Sequence, residues 1–124
     1  MAGFTFDHIH LRSPDPEATA AFYERVFGAR LTRSPQRIDI ELGGQVLFVS
    51  PVNDAATGAA PSAPYRGLEH IGLAVQDIDG VVAALKAKGV TFTMEPTTIR
   101  PGVRIAFLRG PEDVSIELLE RSAA

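Results

Sequence analysis

The chain has 124 residues, 45% hydrophobic and 22% charged, which fits one compact domain of ordinary composition and excludes a disordered polymer. It has no cysteine, so disulfides, thiolate ligands and cysteine nucleophiles are ruled out, and any metal must be held by nitrogen and oxygen. A formal charge of −3 with scattered arginines argues against a nucleic-acid groove, and no apolar run approaches a membrane span.

The amino terminus, Met1 to Thr5, lacks the basic region and apolar core of a secretory leader, so a soluble cytoplasmic protein is expected. Alternation then begins: Phe4, Phe6, His8 and His10 share one strand face, opposite Ile9 and Leu11. A helix follows, with Asp15 as N-cap, Pro16 at the first helical position and Glu17 at the positive helix end. Ala18, Phe22 and Val26 form its apolar stripe, Gly28 ends it, and Tyr23 and Phe27 are assigned to the core or an interface. Three short strands are predicted at residues 29–34, 37–42 and 45–50, with Gly43-Gly44 as a hairpin turn. Residues 51–67, rich in Ala, Pro, Gly and Ser, read as a connecting loop.

The pattern then starts again. Asp7-His8-Ile9-His10-Leu11 is echoed half a chain later by Glu69-His70-Ile71-Gly72-Leu73, and Asp15 and Glu17 by Asp77 and Asp79 at the same offset. Leu68, His70, Gly72 and Ala74 share a strand face opposite Ile71, Leu73 and Val75. Asp77 caps a second helix with Val81, Leu85 and Lys88 along one side and Gly89 at its end. Strands are expected at 90–94, 103–108 and 114–119, with Gly110-Pro111-Glu112-Asp113 as the turn. The chain thus reads as α+β, two tandem β-α-β-β-β units in a single domain, residues 4–50 and 68–120. A unit of roughly 60 residues alone has a marginal core.

Strand parity points to a site. Ile9, Leu11, Ile71, Leu73, Ile116 and Leu118 are placed to pack beneath the helices, so His8, His70 and Glu117 face the other side of the sheet, a concave surface or solvent. Two imidazoles and a carboxylate suit a borderline or hard divalent ion and leave positions open for substrate or water. Such a set does not choose among zinc, manganese, iron(II), cobalt and nickel. Singly, a strand histidine serves structure as readily as ligation, and Glu117 is an ordinary edge-strand acid; their repeat equivalence favours the metal. His10, on the face of His8, is a candidate acid or base or an exposed strand-end residue. Glu41, sharing a face with Asp39, is a candidate catalytic carboxylate or a solvated one. Arg104 and Arg100 either meet an anionic substrate or lie at the surface. Phe4, Phe6 and Phe48 form a substrate-pocket wall or belong to the core.

The duplicated β-α-β-β-β, the paired His-Ile-x-Leu openings and Ser115-Ile116-Glu117-Leu118 together resemble the vicinal oxygen chelate superfamily. That group includes glyoxalase I, methylmalonyl-CoA epimerase, fosfomycin and bleomycin resistance proteins and extradiol dioxygenases. The resemblance covers nearly the whole chain. It implies an incomplete mixed β-barrel around a concave metal site with helices outside, a homodimer, and His8, His70 and Glu117 at three metal positions. In glyoxalase I and the epimerases the last strand of the first half supplies a further Glu or Gln. Aligning Val46-Leu47-Phe48-Val49 with Ser115-Ile116-Glu117-Leu118 puts Phe48 there, and a phenyl ring cannot ligate. That departs from glyoxalase I proper and leaves a three-ligand arrangement similar to fosfomycin-modifying enzymes and extradiol dioxygenases. The phosphonate-contacting segment of the fosfomycin thiol transferases is not visible in residues 97–104, and the chain is small for a ring-cleaving dioxygenase. The implied activity is lyase or isomerase chemistry on a small oxygen-rich substrate through a metal-stabilised oxyanion or enolate. The alternatives are an iron- or manganese-dependent dioxygenase and a metal-free small-molecule-binding or antibiotic-resistance protein.

Overall fold

A computed structural model describes residues 3–52 and 57–122; Met1 and Ala2 of the amino terminus and residues 53–56 of the expected connecting loop lie outside the described residues. The chain divides into two compact units, Met1–Ala59 and Ala60–Ala124. Each sets one helix against one four-stranded mixed sheet that does not close on itself.

The first unit runs β1 (Ile9–Ser13), α1 (Pro16–Phe27), β2 (Arg30–Arg33), β3 (Ile38–Leu42) and β4 (Gln45–Pro51). Its sheet order is β1-β4-β3-β2, with β1 parallel to β4 and the other pairs antiparallel. The Asp15 carboxylate accepts the Ala18 N–H at 3.0 Å, capping α1 as the sequence suggests. Gly28 ends the helix in the left-handed region at φ 70°, where a side chain is disfavoured. The buried stripe is Thr19, Ala20, Tyr23 and Val26, rotated from the expected Ala18, Phe22 and Val26. A hydrogen bond explains the rotation: Thr19 Oγ1 donates to the buried Ser13 Oγ at 2.8 Å, fixing which side of α1 meets the sheet. Beneath it lie Ile38, Ile40, Leu47 and Val49, none more than 5% exposed. Gly43 and Gly44, at φ 58° and 85°, supply the two positive torsions of a tight hairpin.

The first strand is shorter than its alternation suggests. Pairing starts at Ile9 opposite Leu47, and since β4 begins at Gln45, directly after the glycine turn, it has no residue to set opposite Phe4 or Phe6. Phe4 and Phe6 therefore precede the sheet, 92% and 68% exposed.

The second unit repeats the plan: β5 (Ile71–Ala74), α2 (Ile78–Ala87), β6 (Phe92–Arg100), β7 (Val103–Arg109), a 3₁₀ turn (Pro111–Asp113) and β8 (Ser115–Arg121), in the order β5-β8-β7-β6. Asp77 caps α2 by accepting from Gly80 N, and the side chain of Glu120 on β8 accepts the Ile78 N–H at 2.8 Å. The buried residues of α2 are Ile78, Val82 and Leu85, while Lys88 stands exposed as the cap residue. The edge strand β6 runs on through Glu95-Pro96, where a break was expected at Met94. An edge strand tolerates proline because one side needs no donors, and the register against β7 shifts on both sides of Met94.

Candidate functional site

In the second unit, Gly72, Glu117 and Phe107 lie in one register row across β5, β8 and β7. Ile116 and Leu118 on either side of Glu117 are buried on the helix-bearing face, so alternation turns the carboxylate to the other face. His70, just before β5, meets it there: Nε2 lies 3.2 Å from Glu117 Oε1. The Glu117 side chain is only 14% exposed, much better shielded than the 73% of Glu69. At the far edge of the imidazole, Nδ1 lies 2.5 Å from Glu69 Oε1. Phe107 packs edge-on to His70, ring centroids 5.1 Å apart.

The first unit wires its histidine the same way. His8 Nδ1 lies 2.7 Å from Asp7 Oδ2, again the residue immediately before. Its ring stacks on Phe48 at 3.9 Å between centroids. Phe48 sits in one register row with His10 on β1 and Asp39 on β3, so it holds on β4 the place that Glu117 holds on β8. The alignment of Phe48 with Glu117 is therefore structural. The guanidinium of Arg37 lies 3.6 Å from the Phe48 ring centroid, and Arg37 Nε donates to Asp39 Oδ1 at 2.8 Å.

His10 shares this face. Its Nε2 is 2.6 Å from the Oγ of buried Ser50, to which Arg12 Nη1 donates at 3.3 Å; the same nitrogen also donates to Pro51 O at 2.9 Å. Burial first, then the charges of Arg12, His8 and Arg37, pushes the His10 pKa below the usual histidine value. Glu41, the other expected carboxylate, is half exposed and paired with Arg30 at 3.6 Å. A pair that open to solvent contributes little.

Arg104, expected in the pocket, lies on the opposite face from Glu117. It shares parity with Ala106 and Leu108, stands in register with Glu120, and its Nη1 donates to Asp79 in the first turn of α2. That hydrogen bond raises its pKa above the usual arginine value. Its place is beside the helix. Phe6, expected as pocket wall, lies ahead of β1 and is exposed, whereas Phe48 is half-buried against His8. Among the described residues, no three His, Asp or Glu side chains gather into a group that could hold a metal ion. A cavity of about 340 Å³ in the first unit opens at the start of α1, walled by Pro14, Pro16, Pro35 and Pro51, and includes none of the expected site residues.

Residue-level reading of the sequence did not single out Asp7, Glu69, Ser50 or Arg37. The first two had a visible signal, an acid directly before each repeat-equivalent histidine. Ser50 and Arg37 become functional candidates only through register and packing.

Among known proteins, the family model described as Glyoxalase/Bleomycin resistance protein/Dioxygenase superfamily matches residues 5–118. A protein named Lactoylglutathione lyase GLX1 from Arabidopsis thaliana is 27% identical over 124 residues, covering 94% of this chain but 44% of the relative, so the chain spans less than half of that protein. A probable lactoylglutathione lyase from Vibrio parahaemolyticus is 29% identical over 128 residues, covering 94% of this chain and 91% of the relative. The crystal structure of a glyoxalase family protein from Enterococcus faecalis superposes with a TM-score of 0.80 at 25% identity, covering 97% of this chain and 100% of that one.

Proposed function

The chain belongs to the Glyoxalase/Bleomycin resistance protein/Dioxygenase superfamily, and from that premise we propose that it is a divalent-metal-dependent lyase or isomerase acting on a small oxygen-rich substrate, with His8, His70 and Glu117 as the metal ligands. The observation that carries the reading is the matched wiring of the two histidines. Each Nδ1 faces the carboxylate of the preceding residue, at 2.7 Å for Asp7 and 2.5 Å for Glu69. A carboxylate on Nδ1–H leaves the Nε2 lone pair for coordination. The same arrangement recurs at the two repeat-equivalent positions. Glu117, beside His70 Nε2, adds a hard oxygen donor, and this nitrogen–oxygen set fits zinc, manganese, iron(II), cobalt or nickel.

A divalent ion held there supplies Lewis acidity, stabilising charge on neighbouring substrate oxygens. The chain's own residues supply the rest. His10, anchored by Ser50, is positioned to take up a proton on the face that carries His8. Phe48 and Phe107 give the two imidazoles apolar walls that restrict their rings. The relatives named as lactoylglutathione lyases support lyase chemistry as the first class to assay. The working unit is taken to be a pair of chains in the cytoplasm, which sedimentation and fractionation check.

The stack of Phe48 on His8 favours one second reading, a metal-free binder of small molecules. Elemental analysis after reconstitution separates the two. About one equivalent of metal per chain, lost in both His8→Ala and Glu117→Ala, is the expected result. A folded wild type that takes up no metal leaves the binder.

A further inference from the structure

On the face of the first unit that carries His8, we propose that Arg37 is a specificity-determining residue that receives a carboxylate group of the substrate through its terminal nitrogens. The inference rests on the reading of His8 as a metal ligand, since it assumes that the substrate's paired oxygens are held beside that residue.

Two independent contacts fix the Arg37 guanidinium. Its carbon lies 3.6 Å from the Phe48 ring centroid, and Nε is tied to Asp39 Oδ1 at 2.8 Å. The bond to Asp39 uses one of five N–H groups, and no hydrogen bond from Nη1 or Nη2 is found among the described residues. The unused edge of a planar guanidinium matches a carboxylate bidentately, and holding it rigid beforehand removes much of the entropic cost of binding. The position is also right. His8 stacks on the same phenyl ring at 3.9 Å, so imidazole and guanidinium take its two faces, no farther apart than those two distances together, and a substrate would have to reach from one to the other over the edge of Phe48.

The neighbouring charges leave this role to Arg37. Arg12 is engaged by Ser50 Oγ and Pro51 O, and His10 by Ser50. Glu41 pairs with Arg30. Asp39, the acid nearest the guanidinium, is already turned to Nε. In the second unit the corresponding register row carries Phe107 on β7 and Glu117 on β8; in the first it carries Asp39 on β3 and Phe48 on β4. Acid and aromatic have exchanged strands. The acid of the first unit thereby orients a cation, while that of the second faces its histidine.

A matched pair of probes tests this. Catechol offers two vicinal oxygens, and 3,4-dihydroxybenzoate offers the same two plus a carboxylate. Calorimetric titrations of the full zinc-loaded chain compare wild type with Arg37→Met, which keeps an apolar stem over Phe48, and with Arg37→Lys, which keeps charge without the fork. The expected result is about a ten-fold loss of 3,4-dihydroxybenzoate affinity in Arg37→Met, a smaller loss in Arg37→Lys, and catechol affinity unchanged in both. Because each probe is compared with itself, intrinsic differences between the two catechols cancel. Equal 3,4-dihydroxybenzoate affinity in wild type and Arg37→Met overturns the receptor while leaving the metal reading intact. If the chain takes up no zinc, the metal reading falls instead, and the same titrations without metal decide the receptor. Binding sensitive to Arg37→Met then supports it, and absent or insensitive binding overturns it.

Discussion

Removing the carboxylate behind either imidazole should weaken metal binding in graded steps. Glu69 Oε1 lies 2.5 Å from His70 Nδ1 and Asp7 Oδ2 lies 2.7 Å from His8 Nδ1, so each is placed to accept from Nδ1–H, the tautomer that would offer Nε2 to a metal. Outer partners of this kind are worth about 10- to 100-fold in metal affinity. Both carboxylates are open to water, 73% exposed for Glu69 and 83% for Asp7, which screens their charge and puts the expected loss near the lower end. In Glu69→Gln and Asp7→Asn the amide oxygen still accepts from Nδ1–H, so only the charge is lost, and each should cost about 10-fold. Glu69→Ala and Asp7→Ala also release the ring and should cost more. Because both histidines would hold one ion, the two acids couple through it, and the Gln/Asn double variant should lose more than either single variant by an amount that departs from the simple product. Competition against a chromophoric zinc chelator at neutral pH measures this, with circular dichroism confirming the fold. A flat series, with the alanine variants within two-fold of wild type, would mean that the acids merely sit beside histidines that coordinate nothing.

Tyr23 is 1% exposed and its hydroxyl finds no hydrogen-bond partner among the described residues, so Tyr23→Phe should raise stability by about 1 kcal/mol in urea unfolding. Burial also pushes the Tyr23 hydroxyl up to about 12 from 10, so above pH 10 the unfolded chain releases a proton that the folded chain keeps. Stability should fall with rising pH between those values by about 1.4 kcal/mol per pH unit from this group, and Tyr23→Phe should remove that component; identical alkaline profiles would refute the assignment. Asp15→Ala and Asp77→Ala each delete a helix cap and should each cost about 1 kcal/mol in the same assay, an unchanged midpoint being the contrary result. Arg104→Met should alter neither metal uptake nor probe binding, since the side chain pairs with Asp79 beside α2; a loss of binding would place it functionally where its strand parity does not.

Much of the fold could be read from sequence because its signals are local. Asp15-Pro16, Gly28, Gly43-Gly44 and Asp77 act within a turn of the chain, and each performs the expected function. Parity likewise set Glu117 apart from Ile116 and Leu118. What escaped depends on partners distant in sequence. The first strand loses Phe4 and Phe6 because β4 has too few residues to pair with them, and α1 turns about a bond between Thr19 and Ser13 that no periodicity shows. Arg104 alternates correctly, yet its face is decided by Asp79 and by register with Glu120. Of the candidate site, the strand face of Glu117 was legible; the acids behind the histidines and the platform beneath Arg37 were not.

Phe48 shows most clearly why register adds what counting cannot. By sequence it is a defect, an aromatic where the related pattern has a ligand. By register it is one half of an exchange: each unit carries one acid and one aromatic across its two central strands, Asp39 and Phe48 in one, Glu117 and Phe107 in the other, in opposite order. Each histidine keeps an aromatic neighbour, stacked in the first unit and edge-on in the second. The order of the pair decides where the acid points. On β8 it faces Nε2 of His70, while on β3 it holds the Nε of an arginine. A duplicated plan lets the two copies carry different residues at matched positions. If His8, His70 and Glu117 hold a metal, a centre with Phe48 in place of a further anionic ligand and a guanidinium nearby would favour a more negative substrate.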